Sequence, residues 1–66
     1  MVKPRLSNRE IQILLLVCNE HSAEEIGKKL NISIGTVYTH RKNLLAKTGA
    51  RNKVGLVKYA IRNELI

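Results

Sequence analysis

The stretch "SAEEIGKKLNISIGTVYTHRKNLLAKTG", residues 22–49, decides the fold. It opens with "SAEE", Ser22 to Glu25, the pattern of a capping box: a serine hydroxyl satisfies a free amide, and a glutamate three residues on reaches back. Ala23, Ile26, Gly27 and Leu30 then share one helical face, which predicts a short helix over 23–30. "NIS", residues 31–33, is a three-residue turn, and Ser33 is the N-cap of a second helix over about 34–47. Gly49 ends it, since glycine adopts the left-handed backbone of a helix terminus without strain. Two short helices joined by such a turn have the spacing of a helix-turn-helix. Small side chains at Ala23 and Gly27 let another helix pack closely.

Working outward, "SNRE", Ser7 to Glu10, is another capping box and starts a helix over about 8–19. Ile11, Leu14, Leu15 and Cys18 recur at i, i+3, i+4, i+7 and form its apolar stripe. After Gly49, Asn52 caps a last helix over about 53–64. No run alternates with period two, so the fold class is all-α, a four-helix bundle containing the helix-turn-helix. Residues 1–5 read as a basic arm or linker remnant and residues 6–66 as the domain.

At 66 residues the chain makes one domain at most, with too little core to wall a deep catalytic cleft. Twelve Lys and Arg against five Asp and Glu leave a formal net charge of +7. That balance favours an anionic partner, nucleic acid before a membrane surface. The single cysteine, Cys18, excludes an internal disulfide framework and fits a reducing, cytoplasmic setting. No apolar run approaches the ~20 residues that span a bilayer.

The charges are segregated. Between Ile34 and Asn63 there is no acidic residue, while Arg41, Lys42, Lys47, Arg51, Lys53, Lys58 and Arg62 all fall there. On a helical projection of residues 34–47, Ile34, Val37, Leu44 and Leu45 form the core face. Gly35, Thr39, Lys42, Asn43 and Ala46 lie opposite, with Tyr38 along one side and Thr36, His40 and Lys47 along the other. A solvated helix face ordinarily mixes Glu with Lys for i,i+4 pairing; this one does not. A positive, closely approachable face with mixed donors suits the major groove of B-DNA. The amides at the Ser33 end suit a phosphate.

These residues resemble the LuxR-type, or NarL/FixJ-type, DNA-binding domain of bacterial transcription regulators. "LSNREIQIL" is similar to that family's opening "LTxRExxVL". "SAEEIGKKLNISIGTVYTHRKNLLAKTGARNKVGLVKYA" is similar to its "SxxEIAxxLxISxxTVKxHxxxIxxKLgvxnRxxLvxyA". The resemblance covers Leu6 to about Ile66. It implies a third helix that reads the major groove and a fourth that often forms a two-fold dimer contact. It places Tyr38, Thr39 and Lys42 at base-facing positions, with Asn43 on the same face. It places Thr36 and Lys47 at phosphate-contacting positions, beside Ser33, His40 and Arg41; His40 matches the family histidine, read as packing beside the backbone. There are departures. Tyr38 stands where lysine is commonest, Glu20 where a glycine usually ends the first helix, and Gly27 where alanine is usual. Ala23 and Glu24 replace polar or basic residues at the start of the second helix.

The function expected is sequence-specific binding of double-stranded DNA by the output domain of a regulator, with a receiver domain or other signal input elsewhere. The fourth helix is apolar over half its circumference, through Val54, Leu56, Val57, Ala60, Ile61 and Leu65. One reading is wraparound packing by the C-terminal residues. The other is a weak homodimer contact along Val54, Gly55, Val57 and Lys58, which favours palindromic or repeated half-sites. RNA polymerase is a further partner such a regulator implies.

Cys18, His21 and His40 do not have zinc-ligand spacing, and no Gly-rich phosphate loop or nucleophile–base–acid set occurs. The chain is therefore expected to be no enzyme and to need no metal or cofactor. Two aromatics, Tyr38 and Tyr59, are too few for a single-strand stacking platform. Two competing readings remain: the promoter-recognition end of a sigma factor, against which the fourth helix speaks, and a protein-interaction module without a DNA role. Loss of duplex binding at low salt would favour the latter.

Overall fold

The computed structural model describes residues 6–66. The arm expected over residues 1–5 lies outside them. Among the described residues there are four α-helices and no strand: α1 Asn8–Cys18, α2 Ala23–Leu30, α3 Ile34–Thr48 and α4 Lys53–Arg62. The all-α reading holds, with three helix ends shifted by one or two residues. Among the described residues no helix is long and apolar enough to cross a membrane.

Every expected N-cap forms. Ser7 and Glu10 close one reciprocal box, with bonds of 3.1 Å to the Ser7 hydroxyl and 2.8 Å to the Glu10 carboxylate. Ser22 and Glu25 close the second. The Ser33 hydroxyl accepts from the Thr36 amide at 3.1 Å, and the Asn52 carbonyl oxygen from the Gly55 amide at 3.1 Å. Such a cap contributes roughly 1 kcal/mol, a large share of the stability available to so small a domain.

The other ends bear out the glycine end of α3 and show left-handed closures elsewhere without glycine. Each helix terminates at a left-handed residue: Glu20 (φ 66°), Asn31 (φ 57°), Gly49 (φ 74°) and Glu64 (φ 56°). At α1 the Glu20 amide donates to the Val17 carbonyl at 3.0 Å and the His21 amide to Leu16 at 3.1 Å. At α4 the Glu64 amide donates to Ile61 at 3.1 Å and the Leu65 amide to Ala60 at 2.8 Å. Both are Schellman closures, each with a glutamate where glycine fits without strain.

Helix α3 is central: it packs on α1, α2 and α4, while α1 also packs on α4. The core is Ile13, Leu14, Val17, Ile26, Val37, Leu44, Leu56 and Ala60. Three expectations about faces are corrected. On α1 the buried set is Glu10, Ile13, Leu14 and Val17, and Ile11, Leu15 and Cys18 are only half-buried. The spacing is the same i, i+3, i+4, i+7, but a glutamate occupies its first place and hides the face from an apolar count. On α3, Ile34 is 40% exposed rather than core; it sits in the first turn beside the 31–33 loop. On α4 the apolar circumference divides: Leu56 and Ala60 are fully buried, while Val54 (61%) and Ile61 (58%) face outward.

The α2–turn–α3 unit is tightly closed. The Asn31 and Ile32 amides both donate to the Gly27 carbonyl. A Cβ at residue 27 would lie 2.8 Å from the Ile32 carbonyl oxygen, so the turn folds directly over the glycine.

Candidate nucleic-acid interface

Tertiary packing holds α3 by Val37 and Leu44, both fully buried. With that face pinned, the rest of the helix is directed outward by geometry alone. Tyr38 is 55% exposed, and Gly35, Thr36, Thr39, Lys42, Asn43 and Ala46 are exposed with it. His40 and Arg41 are half-buried on the flanks.

Several polar groups on this surface are already committed. The Ser33 and Thr36 hydroxyls lie 2.9 Å apart, and Ser33 also holds the Thr36 amide. Thr39 donates its hydroxyl to the Gly35 carbonyl at 3.0 Å, one turn back in the same helix. Its hydroxyl proton is therefore spent locally. A Cβ at Gly35 would meet only the Ser33 hydroxyl oxygen, at 3.9 Å, so the glycine leaves open space at the helix start.

Lys47 is placed differently from its phosphate-contacting neighbours in the sequence reading. Its ammonium donates to Glu10 Oε1 at 2.8 Å, and Glu10 is 4% exposed. The same oxygen accepts the Ser7 amide at 2.8 Å. Lys47 and that amide together hold the Glu10 carboxyl below its usual pKa range. Sequence could not reveal this pair, because thirty-seven residues separate its members.

Sequence reasoning also missed Lys53. With Arg41, Glu20 and Ser22 it lines a cleft of about 210 Å³ between the end of α1 and the start of α2. Arg41 of α3 and Lys53 of α4 thus share one cleft with the start of α2, whose first turn carries Glu24 and Glu25. A second group of cations, Arg51, Lys58 and Arg62, lines a groove along the α3–α4 turn and α4. Val54 borders it. Gly55, by contrast, is explained within the chain: its Cβ would lie 2.8 Å from the Ala50 Cβ. Its missing side chain makes room for the α3–α4 turn. Cys18 is half-buried and burial raises its thiol pKa, which disfavours the reactive thiolate. Among the described residues no group of three His, Cys, Asp or Glu is placed to hold a metal ion.

A helix pinned through one face, with an acid-free outer face and a tightly closed turn before it, is the arrangement of a helix-turn-helix reader. Comparison with known proteins agrees. Residues 4–60 match the model of the bacterial regulatory proteins of the luxR family. The chain is 38% identical over 61 residues to the oxygen regulatory protein NreC of Staphylococcus aureus, in strains JH9, JH1 and USA300 alike. That match takes in 92% of this chain but 28% of NreC, so the chain spans little more than a quarter of the length of these relatives. With the match running from the first cap through α3 and most of α4, the chain belongs to the luxR family of bacterial regulatory proteins, as a helix-turn-helix DNA-binding domain.

Proposed function

We propose that this domain binds double-stranded DNA sequence-specifically, with α3 in the major groove, as the output end of a response regulator. The observation that carries the reading is the outward face of α3: exposed Tyr38, Thr39, Lys42 and Asn43 on a helix whose opposite side is fully buried, in a segment without acids from Ile34 to Asn63. Lys42 and Asn43 supply donors for base edges, with Tyr38 and Thr39 beside them. Ser33, Thr36, His40 and Arg41 border the helix where a phosphate strand would pass. Lys53, beside Arg41, joins that border. The contact with Glu10 supports a different part for Lys47, that of fixing α3 against α1, with little charge left for a phosphate. The likeness to NreC supports the response-regulator setting, in which a signal-receiving part controls the domain.

Dimerisation through α4 is part of the proposal. Val54 and Ile61 lie outward about two turns apart with Lys58 between them. The apolar pair favours contact with a second copy, and the cations Lys58 and Arg62 oppose it by like-charge repulsion. A contact so balanced is weak in solution and gains from DNA, whose phosphates screen the repulsion and hold two copies ~34 Å apart on adjacent half-sites. RNA polymerase is a further partner in this setting.

The test is in vitro selection from random duplexes, followed by affinity measurements across salt concentration. Enrichment of a defined site, with affinity falling steeply as salt rises, is the expected result. Equal binding to all duplexes, or none at low salt, would sink the proposal.

A further inference from the structure

The outward face of α3 is chemically split along its length. From Ser33 to His40 there is no Lys, Arg, Asn or Gln. The large exposed side chains there are Ile34 at 40% and Tyr38 at 55%, one helical turn apart, with the small hydroxyl residues Ser33, Thr36 and Thr39 around them. The open space at Gly35 lies between. Thr39 has already given its hydroxyl proton to the Gly35 carbonyl, so it brings to a base a methyl group and an oxygen that can only accept. The first cation on this face is Lys42, a full turn after Tyr38.

We infer that the N-terminal half of α3 reads thymine by its 5-methyl group, with Tyr38 as the specificity-determining residue and Ile34 as its apolar support. The inference rests on α3 lying in the major groove. Recognition helices present their N-terminal residues to base edges. In that groove thymine alone carries a methyl group, and apolar side chains are its partners. Guanine offers two acceptors and no methyl group, and on the Ile34–Tyr38 ridge the Tyr38 hydroxyl is the one donor that can meet them. Tyr38→Phe removes that donor and keeps the ring, so it separates methyl contact from hydrogen bonding. The ridge favours thymine through the contact of its methyl with the Tyr38 ring and Ile34. The charge around it fits the same occupant, since Arg41 and Lys42 follow at once and no acid occurs until Glu64.

The experiment starts from the site recovered by selection. Each thymine is replaced singly by deoxyuridine, which keeps every hydrogen-bonding group and removes only the methyl. Affinity is measured at fixed salt for the wild-type domain and for Tyr38→Phe, Tyr38→Ala and Tyr38→Lys. Loss of one buried methyl contact should weaken wild-type and Tyr38→Phe binding roughly three- to fivefold at one or two adjacent positions. Tyr38→Ala should be indifferent to the replacement, and Tyr38→Lys should select guanine there instead. Tyr38 is exposed, so these variants are expected to melt with the wild type, which circular dichroism checks. A defined selected site with no position sensitive to deoxyuridine overturns the inference and leaves sequence-specific binding intact. No preference among duplexes at all overturns both.

Discussion

Lys47 in the last turn of α3 and Glu10 in the first turn of α1 are joined by a 2.8 Å bond, and the carboxylate oxygen that receives it also closes the N-cap of α1. One buried oxygen therefore ties the start of the chain's first helix to the far end of the recognition helix. Breaking a buried pair from one side costs ~3–5 kcal/mol, but Lys47 keeps 39% of its side chain in water, which lowers the figure to roughly 1–3 kcal/mol. Lys47→Ala should lose that much in urea unfolding. Glu10→Gln should lose less, since a neutral amide can still serve the capping box. At a temperature where both are folded, Lys47→Ala should leave the salt dependence of DNA binding nearly unchanged, whereas loss of a true phosphate contact would reduce the slope by about one.

The same pair sets an acid limit. Folding lowers the Glu10 pKa, so its contribution is fully present above the unfolded value, about 4.3. It is lost as pH falls through the lower folded value. Melting temperatures of wild type and Glu10→Gln should differ at neutral pH and converge below the usual glutamate range. A gap that persists unchanged in acid would show that charge is not what Glu10 contributes.

Glu20 occupies a left-handed position with φ 66° at the α1 terminus. A side chain there costs about 1–2 kcal/mol, partly offset because glycine loses more freedom on folding. Glu20→Gly should raise the melting temperature by a few degrees, near what ~0.5–1 kcal/mol produces in a domain this size. Glu64→Gly tests the same closure at α4, where φ is 56°.

Lys42→Ala removes the first cation on the exposed α3 face. Selected sites should lose preference at one position by about 1–3 kcal/mol of discrimination. Arg41→Ala should instead weaken all duplexes alike. An unchanged selection profile for Lys42→Ala would refute its base-reading role.

Val54→Glu and Ile61→Glu place charge on the outward face of α4 without touching Leu56 or Ala60, which are buried. Affinity for a single half-site should hold, while cooperative binding to paired half-sites should fall. Unaltered cooperativity would remove α4 from the dimer proposal.

Local chemistry was legible in the chain: four N-caps, the Asn31–Ser33 turn, the glycine end of α3 and the acid-free run that follows Ile34 all come from interactions within a few residues. They place the elements and identify α3 as the charged, approachable helix. The buried faces of α2 and α3 were legible too, through Ile26, Gly27, Val37 and Leu44; on α1 and α4 tertiary structure decided which face is buried. An i, i+3, i+4, i+7 pattern on α1 fits two overlapping stripes, and only packing against both α3 and α4 selects the one through Glu10. That choice makes a glutamate a core residue, and a core glutamate requires a cation, which turns Lys47 inward. Likewise α4 has apolar groups around half its turn, and only contact with α1 and α3 separates Leu56 and Ala60 from the outward Val54 and Ile61. Ile34 came out exposed because helical periodicity treats every turn alike, while a helix's first turn has fewer neighbours to cover it.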